Sequence, residues 1–265
     1  MQTADIDTVR LARGLFEAFE SGKAIPPLTG SHPELGAEGA YQIQQELVRL
    51  HEEAGRKIVA RKVGLTSKAI QQQMGVDQPD YGVIFDEFVF ENGTALKIGS
   101  KHMVQPRLEA ELAFILETEL RGPNVTVAQV LANTRGVLPV FEVIDSRIED
   151  WRIKLADTIA DNASGWGLVM GEVLTSPSGI DLETVGLVIE RDGEVMATGA
   201  GAAALEHPAR SVAWLANTLA GYGESLPPGE PILSGSLTAA VDAVPGRYRA
   251  RFGEGLGSVE LVMTA

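Results

Sequence analysis

The sequence changes character near Ile58, and this change constrains the fold more than any other feature. Before it, apolar residues such as Leu11, Leu15 and Phe19 recur at near-helical spacing. After it, short runs rich in β-branched and aromatic residues alternate with turn residues, a pattern typical of strands. These runs are KIVARKVGL, GVIFDEFVF, AELAFIL, GVLPVFEVID, GLVMGEVL, GLVIERDGEVMAT, PILSGSL and SVELVMT. The sequence therefore predicts an α+β fold with an N-terminal helical region, residues 1–56, and a β-rich body, residues 57–265, joined in one unit.

Local signals predict individual elements within these two regions. Helices are expected around residues 9–19 and 40–51, joined by the loop SGKAIPPLTGSHPEL, and two more around 125–134 and 208–222. The Asp-Gly pair in GLVIERDGEVMAT predicts a tight hairpin, because it suits a turn with positive φ. The segment GAGAAAL at 199–205 follows this hairpin late in the chain. We therefore interpret it as a close-packed turn and not as a dinucleotide-binding fingerprint.

Composition excludes several classes of function. The chain has no cysteine, which excludes disulfides, thiolate catalysis and cysteine-ligated metals. Its formal net charge of −14 opposes binding to nucleic acid or to an anionic membrane. No apolar run is long enough to span a bilayer and no signal-peptide core is visible, so we expect a cytoplasmic location. An acidic surface would repel a small anionic substrate, so a carboxylate-binding site must carry its own positive charge.

Three glutamates form the most informative pattern. In a strand over PRLEAELAF, Glu109 and Glu111 point to one face while the apolar residues between and beside them point to the other. Glu142 is the single acid in the apolar run VLPVFEVI, where a carboxylate is costly unless it is paired, protonated or bound to a metal. A solvated strand face is the alternative for the first two, and Glu142 shifts the balance towards an oxygen-rich site for Mg²⁺ or Mn²⁺.

Two further charged residues are candidates for proton transfer or substrate binding. Lys62 lies in a β-prone run, where it could bind a substrate carboxylate or act with a depressed pKa; a lysine on a surface strand edge is the alternative. Asp80 lies in QPDYG, a turn that would expose it, and ordinary turn chemistry is the alternative. His51, flanked by Glu52 and Glu53, is expected to be exposed.

The remaining motifs exclude other catalytic sites. His32, His51, His102 and His207 are not at paired metal-ligand spacing, and none adjoins a serine nucleophile motif. A Ser-His-Asp hydrolase is disfavoured because G-x-S-x-G is absent.

Six long segments, in one order from about Ala40 to the C-terminus, resemble the 2-hydroxypenta-2,4-dienoate hydratases. That family belongs to the fumarylacetoacetate-hydrolase-like superfamily, alongside the 4-oxalocrotonate decarboxylases. The segments are ARKVGLTSKAIQQQMGVDQPDYG, VQPRLEAELAF, VLPVFEVIDSRIEDW, DTIADNAS, TGAGAAALEHPARSVAWLANTL and ILSGSL. The resemblance implies N-terminal helices followed by mixed sheets rolled around the active site.

The resemblance also implies roles for individual residues. Divalent-cation ligands fall on Glu109, Glu111 and Glu142, with Mg²⁺ expected and Mn²⁺ possible. The active-site lysine falls on Lys62 and the hydratase-type acid on Asp80, with the order of their proton transfers left open. Substrate-pocket serines fall on Ser164 and Ser236. The implied reaction adds water to 2-hydroxypenta-2,4-dienoate, or a close alkyl homologue, in the meta-cleavage degradation of aromatic compounds, giving 4-hydroxy-2-oxopentanoate from the parent substrate.

Related activities remain as alternatives. The decarboxylases carry an apolar residue where Asp80 stands and Thr-Gly-Gly where Ser234-Gly235-Ser236 stands, so this sequence follows the hydratase form at both places. No histidine lies near the glutamates in a motif matching the histidine–glutamate pair of true fumarylacetoacetate hydrolases. A non-catalytic partner subunit of a hydratase–decarboxylase complex is a further alternative. The resemblance also implies a homo-oligomer built from pentamers, able to associate with a decarboxylase or a downstream aldolase. The length of the substrate's tail cannot be read from the sequence.

Overall fold

The computed structural model describes residues 6–265. The α-helices in this part of the chain are α1 Thr8–Ser21, α2 Leu28–Ser31, α3 Ala37–Glu53, α4 Lys68–Met74, α5 Val127–Asn133, α6 Leu155–Ala160 and α7 Pro208–Ala220. The strands are β1 Ile58–Gly64, β2 Asp80–Phe85, β3 Val89–Glu91, β4 Ala95–Lys97, β5 Pro106–Leu116, β6 Thr134–Asp145, β7 Gly165–Met170, β8 Gly186–Arg191, β9 Glu194–Ala200, β10 Pro231–Leu233, β11 Val241–Asp242, β12 Gly246–Phe252 and β13 Gly257–Thr264. Within the described residues, no helix combines the length and the apolar character needed to cross a membrane.

The strands form two mixed sheets. The larger has the order β2-β1-β10-β5-β6-β7-β3, with β11 paired to β5, and the smaller has the order β4-β13-β12-β8-β9. In the larger sheet β1 pairs with β10 and β3 with β7 in parallel, while the other pairs are antiparallel. Strand β2 also contacts β7 across the sheet, so the larger sheet curls around one of its faces. The predicted α+β class with mixed sheets is confirmed.

The N-terminal helices form for local reasons and then pack on the body. Asp7 caps α1 by accepting a hydrogen bond from the backbone N–H of Arg10, and α1 ends at Gly22, whose φ of 65° is left-handed. Helix α1 packs on α3, and α3 packs on α6. Gln44 of α3 is buried and donates hydrogen bonds to the carbonyls of Tyr81 and Ile159. This amide ties the helical region to β2 and α6.

The two faces of the larger sheet bury different residues. On β5, Leu108, Ala110 and Leu112 point into the main core, which the helices share. The other face, here called the inner face, carries a smaller apolar cluster that includes Ala113 and Leu138. Because side chains alternate along a strand, the glutamates of β5 lie on this inner face. The curl of the sheet therefore encloses an acidic region above an apolar base.

Two turns have the conformations that their local sequence predicts. The hairpin between β8 and β9 turns at Asp192 and Gly193, both with positive φ, as predicted. The turn at 199–205 is close-packed, since a Cβ at Gly199 would lie 1.9 Å from the carbonyl oxygen of Leu237. Three helices, α2, α4 and α6, and three strands, β4, β11 and β12, were not predicted. Helix α2 lies within the segment that was expected to be a loop. Strand β12 was missed because its arginines alternate with buried residues, which leaves no apolar run.

Candidate active site

Strand register brings the three glutamates together. Glu109 of β5 lies directly opposite Glu142 of β6, and Glu111 follows two residues later on the same face. One carboxylate oxygen from each of the three lies within 4.8 Å of the others. Glu111 and Glu142 are fully buried, and Glu109 is partly exposed. The cluster is therefore reached from solvent on the side of Glu109.

Several carboxylate oxygens in this cluster lack a hydrogen-bond partner. Glu111 accepts a hydrogen bond from the backbone N–H of Gly235 at 2.7 Å through Oε2, but its Oε1 has none. Both oxygens of Glu142 lack one as well. Buried polar atoms are usually satisfied, because leaving them unpaired costs free energy. Oxygen atoms in this state are suited to ligating a hard divalent cation.

Lys62 of β1 lies beside the glutamates and is almost fully buried. Its Nζ lies 3.3 Å from Oε1 of Glu142 and donates a hydrogen bond of 2.7 Å to the carbonyl oxygen of Ala163. Burial alone would lower the pKa of Lys62, but the surrounding carboxylates, Glu142 foremost, raise it above its usual range. This direction is opposite to the depressed pKa that the sequence left open as one option, and the alternative of a surface lysine is wrong because the side chain is buried. Lys62 is thus a buried positive charge beside the acidic cluster.

Asp80 is buried, although the sequence suggested an exposed turn. It is the first residue of β2, is 1 % exposed, and pairs with Gly64 of β1. Its Oδ2 accepts a hydrogen bond from the hydroxyl of Thr158 in α6, while Oδ1 has no partner. Burial raises the pKa of Asp80, which favours its protonated form. The expectation was wrong because α6, which the sequence did not predict, covers this end of β2.

Gly64 keeps a gap open between Asp80 and Lys62. A Cβ placed on Gly64 would lie 2.3 Å from Oδ1 of Asp80 and 3.2 Å from Nζ of Lys62. A side chain at this position would therefore collide with the acid and crowd the ammonium group. The two groups that could transfer protons thus flank one small space, which only glycine leaves free.

The glutamates are electrostatically strained in the absence of a cation. Burial, followed by the charge of Glu142, raises the pKa of Glu109 to about 7 and that of Glu111 well above its usual range. Burial also raises the pKa of Glu142, against the effect of Lys62. One ammonium group faces the carboxyl groups of Asp80 and all three glutamates. A bound divalent cation would offset this excess of acidic groups.

The two predicted pocket serines lie in different settings. Ser164 is buried, its hydroxyl has no hydrogen-bond partner, and it follows Ala163, whose carbonyl contacts Lys62. Ser236 is partly exposed, and its hydroxyl accepts a long hydrogen bond of 3.5 Å from the N–H of Thr238. The structure thus brings the turn of Ser164 to Lys62. Ser236 is connected to the glutamates only through its neighbour Gly235, whose backbone N–H donates a hydrogen bond to Glu111.

Some residues around the site gave no clear signal in the sequence. Thr158, which bonds to Asp80, lies in the segment DTIADNAS, whose likeness to the family was the only available indication. The predicted exposure of His51 is also wrong, because its ring packs against Phe16, Phe19 and Phe85. That histidine lies outside the acidic cluster and belongs to the packing of α3.

The curled mixed sheet with an acidic inner face defines a class of α+β enzymes with a carboxylate-lined site. The model of the fumarylacetoacetate (FAA) hydrolase C-terminal family matches residues 57–259. The chain belongs to this family, as the resemblance in its sequence predicted.

Two hydratases and one solved decarboxylase structure are similar to this chain over most of its length. The chain is 46% identical over 209 residues to a 2-hydroxypent-2,4-dienoate hydratase from Pseudomonas putida, covering 79% of this chain and 94% of the relative. It is 42% identical to a 2-hydroxyhexa-2,4-dienoate hydratase from Comamonas testosteroni, covering 94% of this chain and 95% of the relative. A solved structure of 4-oxalocrotonate decarboxylase from Pseudomonas putida G7, complexed with magnesium and adipate, matches with a TM-score of 0.93 and 38% identity over 100% of both chains.

Proposed function

We propose that this protein is a metal-dependent hydratase. It adds water to 2-hydroxypenta-2,4-dienoate or a close alkyl homologue, and the parent substrate yields 4-hydroxy-2-oxopentanoate. The observation that carries this proposal is the buried Asp80, which faces Lys62 across the gap at Gly64 beside the three glutamates. The two hydratase relatives, matched over most of the chain, support the same reaction and its place in the breakdown of aromatic compounds.

The residues present fit a divalent cation, and Mg²⁺ is the one we propose, with Mn²⁺ as a substitute. Glu109, Glu111 and Glu142 would hold it, as the unpartnered oxygens of Glu111 and Glu142 and the all-oxygen donor set indicate. The magnesium complex of the similar decarboxylase supports the choice of metal. When bound, the cation supplies stabilisation of the negative charge that develops on the C2 oxygen of the substrate.

Lys62 and Asp80 carry the proton chemistry in this proposal. Two protons must be accepted, one from the C2 hydroxyl and one from the water that adds at C4, and two must be delivered to carbon. The carboxylate of Glu142, 3.3 Å from Lys62, is placed to accept protons, while the raised pKa values of Lys62 and Asp80 favour donation by these two groups. Both side chains flank the gap at Gly64, and the ammonium of Lys62 can also bind the substrate's anionic end. Asp80 retains one oxygen without a partner, so it can exchange a proton with the substrate while Thr158 holds the other oxygen. Burial of both groups keeps bulk water from competing with these transfers. Ser164 and Ser236 are proposed to line the substrate pocket.

A metal-dependent 4-oxalocrotonate decarboxylase is the second candidate, favoured by the close match to the solved decarboxylase. To distinguish the two activities, purified protein is incubated with Mg²⁺ and either 2-hydroxypentadienoate or the dicarboxylate 4-oxalocrotonate. Substrate absorbance and CO₂ release are then measured. We expect hydration of the first substrate without CO₂ release from the second. Release of CO₂ would support the decarboxylase, and no turnover of either substrate would support a non-catalytic partner subunit.

We also propose an assembly and a location. Exposed apolar residues such as Val195 and Met196 on the edge strand β9 support self-association, and the proposed pentamer-based form rests on the resemblance to the family. Light scattering should then give a mass several times 28.2 kDa, and a monomer would contradict the proposal. The contacts of Gln44 support residues 1–56 and 57–265 acting as one unit. Association with a decarboxylase or downstream aldolase, and a cytoplasmic location, stay predictions.

A further inference from the structure

Residues 162–164 form a strained turn at the edge of the site. Asn162, Ala163 and Ser164 have φ values of 54°, 50° and 54°, and none of them is glycine. Three consecutive residues with a Cβ rarely adopt this left-handed conformation, because the Cβ crowds the backbone. Such strain persists only where the surrounding structure holds the backbone in place, and it is concentrated at functional sites. The contacts that hold this left-handed turn therefore indicate what it does.

The buried guanidinium of Arg147 binds the backbone on both sides of the left-handed turn. It donates hydrogen bonds to the carbonyl oxygen of Asp161, just before the turn, and to that of Gly165, just after it. Its Nε also donates to the carboxylate of Asp161. A planar guanidinium can reach these acceptors together, whereas a lysine ammonium has neither the fork nor the reach. Arg147 thus fixes the two ends of the turn relative to each other.

The side chain of Asn162 fastens the left-handed turn to β2. Its Oδ1 accepts a hydrogen bond from the N–H of Val83 at 2.9 Å, and its Nδ2 donates to the carbonyl oxygen of the same residue at 2.8 Å. The approach is close, since a Cβ on Gly82 would lie 2.3 Å from the carbonyl oxygen of Asn162. Strand β2 begins with Asp80, so the turn is held against the strand that carries the proposed acid.

The left-handed turn also holds the proposed active-site lysine. The carbonyl oxygen of Ala163, at the middle of the turn, accepts the 2.7 Å hydrogen bond from Lys62. We propose that Arg147 and Asn162 are positioning residues: through the left-handed turn they set the place of the Lys62 ammonium relative to Asp80. This inference rests on the proposed function, because it concerns the lysine of that site. The simpler alternative is that Arg147 and Asn162 only stabilise the fold.

The variant Asn162→Gly tests whether Asn162 positions Lys62 or only stabilises the fold. Glycine adopts positive φ readily, so the variant relieves backbone strain while it removes both bonds to Val83. We expect kcat to fall about 10- to 100-fold, the usual effect of a small misplacement of a reacting group. We also expect KM and the calorimetric affinity for Mg²⁺ to change by less than about threefold. A folded variant with kcat within about twofold of the wild type would overturn the proposal.

Arg147→Lys has a matched control in Arg56→Lys. Arg56 is also buried, at 6 % exposure against 2 % for Arg147, and it bonds to His51, Glu20 and Glu87 and not to the left-handed turn. Both variants should lower Tm, but only Arg147→Lys should lower kcat, by about 100-fold. Equal losses of kcat in the two variants would overturn the proposal. If Arg147→Lys does not fold, Asn162→Gly decides the question.

A crystal structure of Asn162→Gly gives a test independent of turnover. We expect the contact between Nζ of Lys62 and the carbonyl oxygen of Ala163, 2.7 Å in the wild type, to lengthen or break. An unchanged contact would overturn the positioning role, even if the wild type proves to be an active hydratase. Inactivity of the wild type towards 2-hydroxypentadienoate would instead contradict the proposed function, and the two failures are thereby distinguished.

Discussion

Two buried clusters of charge lie near the C-terminal end of β6, and they differ in how their oxygens are satisfied. The site cluster consists of Lys62, Asp80, Glu109, Glu111 and Glu142. The clamp cluster consists of Asp145, Arg147 and Asp161. In the clamp cluster, Asp145 accepts hydrogen bonds from the N–H groups of Val104 and Gln105, and Asp161 accepts them from Ser146 and Arg147. In the site cluster, oxygens of Asp80, Glu111 and Glu142 have no hydrogen-bond partner, although Oε1 of Glu142 lies 3.3 Å from the ammonium of Lys62.

The difference in hydrogen bonding between the two clusters indicates that their buried charges have different roles. Burial raises the pKa of Asp161 and of Glu142 alike, so desolvation does not distinguish the clusters. Hydrogen bonding distinguishes them. A buried network whose polar atoms are all hydrogen-bonded fixes the backbone, whereas one with unpaired polar atoms costs free energy until a ligand binds. We infer that the clamp cluster builds the structure and that the site cluster awaits a cation and a substrate.

The largest effect is expected for Asp80→Asn in the site cluster. Asparagine keeps the size of the side chain and can still accept the hydrogen bond from Thr158, but it cannot titrate. Turnover of 2-hydroxypentadienoate should therefore fall by about 10² to 10⁴, the usual contribution of general acid–base catalysis. Metal affinity, measured by calorimetry, should be retained. Nearly unchanged turnover would remove Asp80 from the mechanism.

A smaller effect is expected when the gap between Lys62 and Asp80, the two proposed proton-transfer groups, is filled. Gly64→Ala places a methyl group against Oδ1 of Asp80 and beside Nζ of Lys62. We expect kcat/KM to fall by about 100-fold, because displacement of reacting groups by about an ångström has this effect. Gly14→Ala is a matched control, since a Cβ there meets nothing within 4 Å. Equal kinetics for the two variants would show that the gap has no role.

The smallest effect concerns a buried group outside both clusters. Burial lowers the pKa of His51 to about 3, so the unfolded chain binds a proton more readily than the folded chain as pH falls. Its contribution to stability is therefore complete above pH 6.5 and is lost as pH falls from there towards 3. Between pH 7 and pH 5 we expect a loss of about 2 kcal/mol from this group. The difference in urea-unfolding free energy between the wild type and His51→Phe should therefore change by about 2 kcal/mol between pH 7 and pH 5, against the wild type. A difference that does not depend on pH would contradict this.

The sequence predicted part of the site for a clear physical reason. Alternation along a strand is local, so PRLEAELAF was enough to place Glu109 and Glu111 on one face. The pairing of Glu109 with Glu142 depends on the register of β5 and β6, which no local pattern contains. The burial of Asp80 depends on Thr158, 78 residues further along the chain. The burial of His51 likewise depends on α1 and on Phe85, so its acidic neighbours in sequence were misleading.

Thermal melting with and without Mg²⁺ tests the difference between the clusters most directly. Glu111→Gln keeps an acceptor for Gly235 and removes a buried acid, so its stability without metal should lie within about 1 kcal/mol of the wild type. Asp161→Asn leaves Arg147 without its charged partner and should cost about 3–5 kcal/mol. Mg²⁺ at about 100 times its Kd should stabilise the wild type and Asp161→Asn by about 2.7 kcal/mol.

Glu111→Gln should gain much less from Mg²⁺, because one of its three carboxylate ligands is lost. We therefore predict that Glu111→Gln loses the stabilisation by Mg²⁺ and keeps its metal-free stability. Asp161→Asn should lose metal-free stability and keep the stabilisation by Mg²⁺. A Glu111→Gln protein that is destabilised without metal, yet still gains the full stabilisation from Mg²⁺, would contradict the claim that the three glutamates form the metal site.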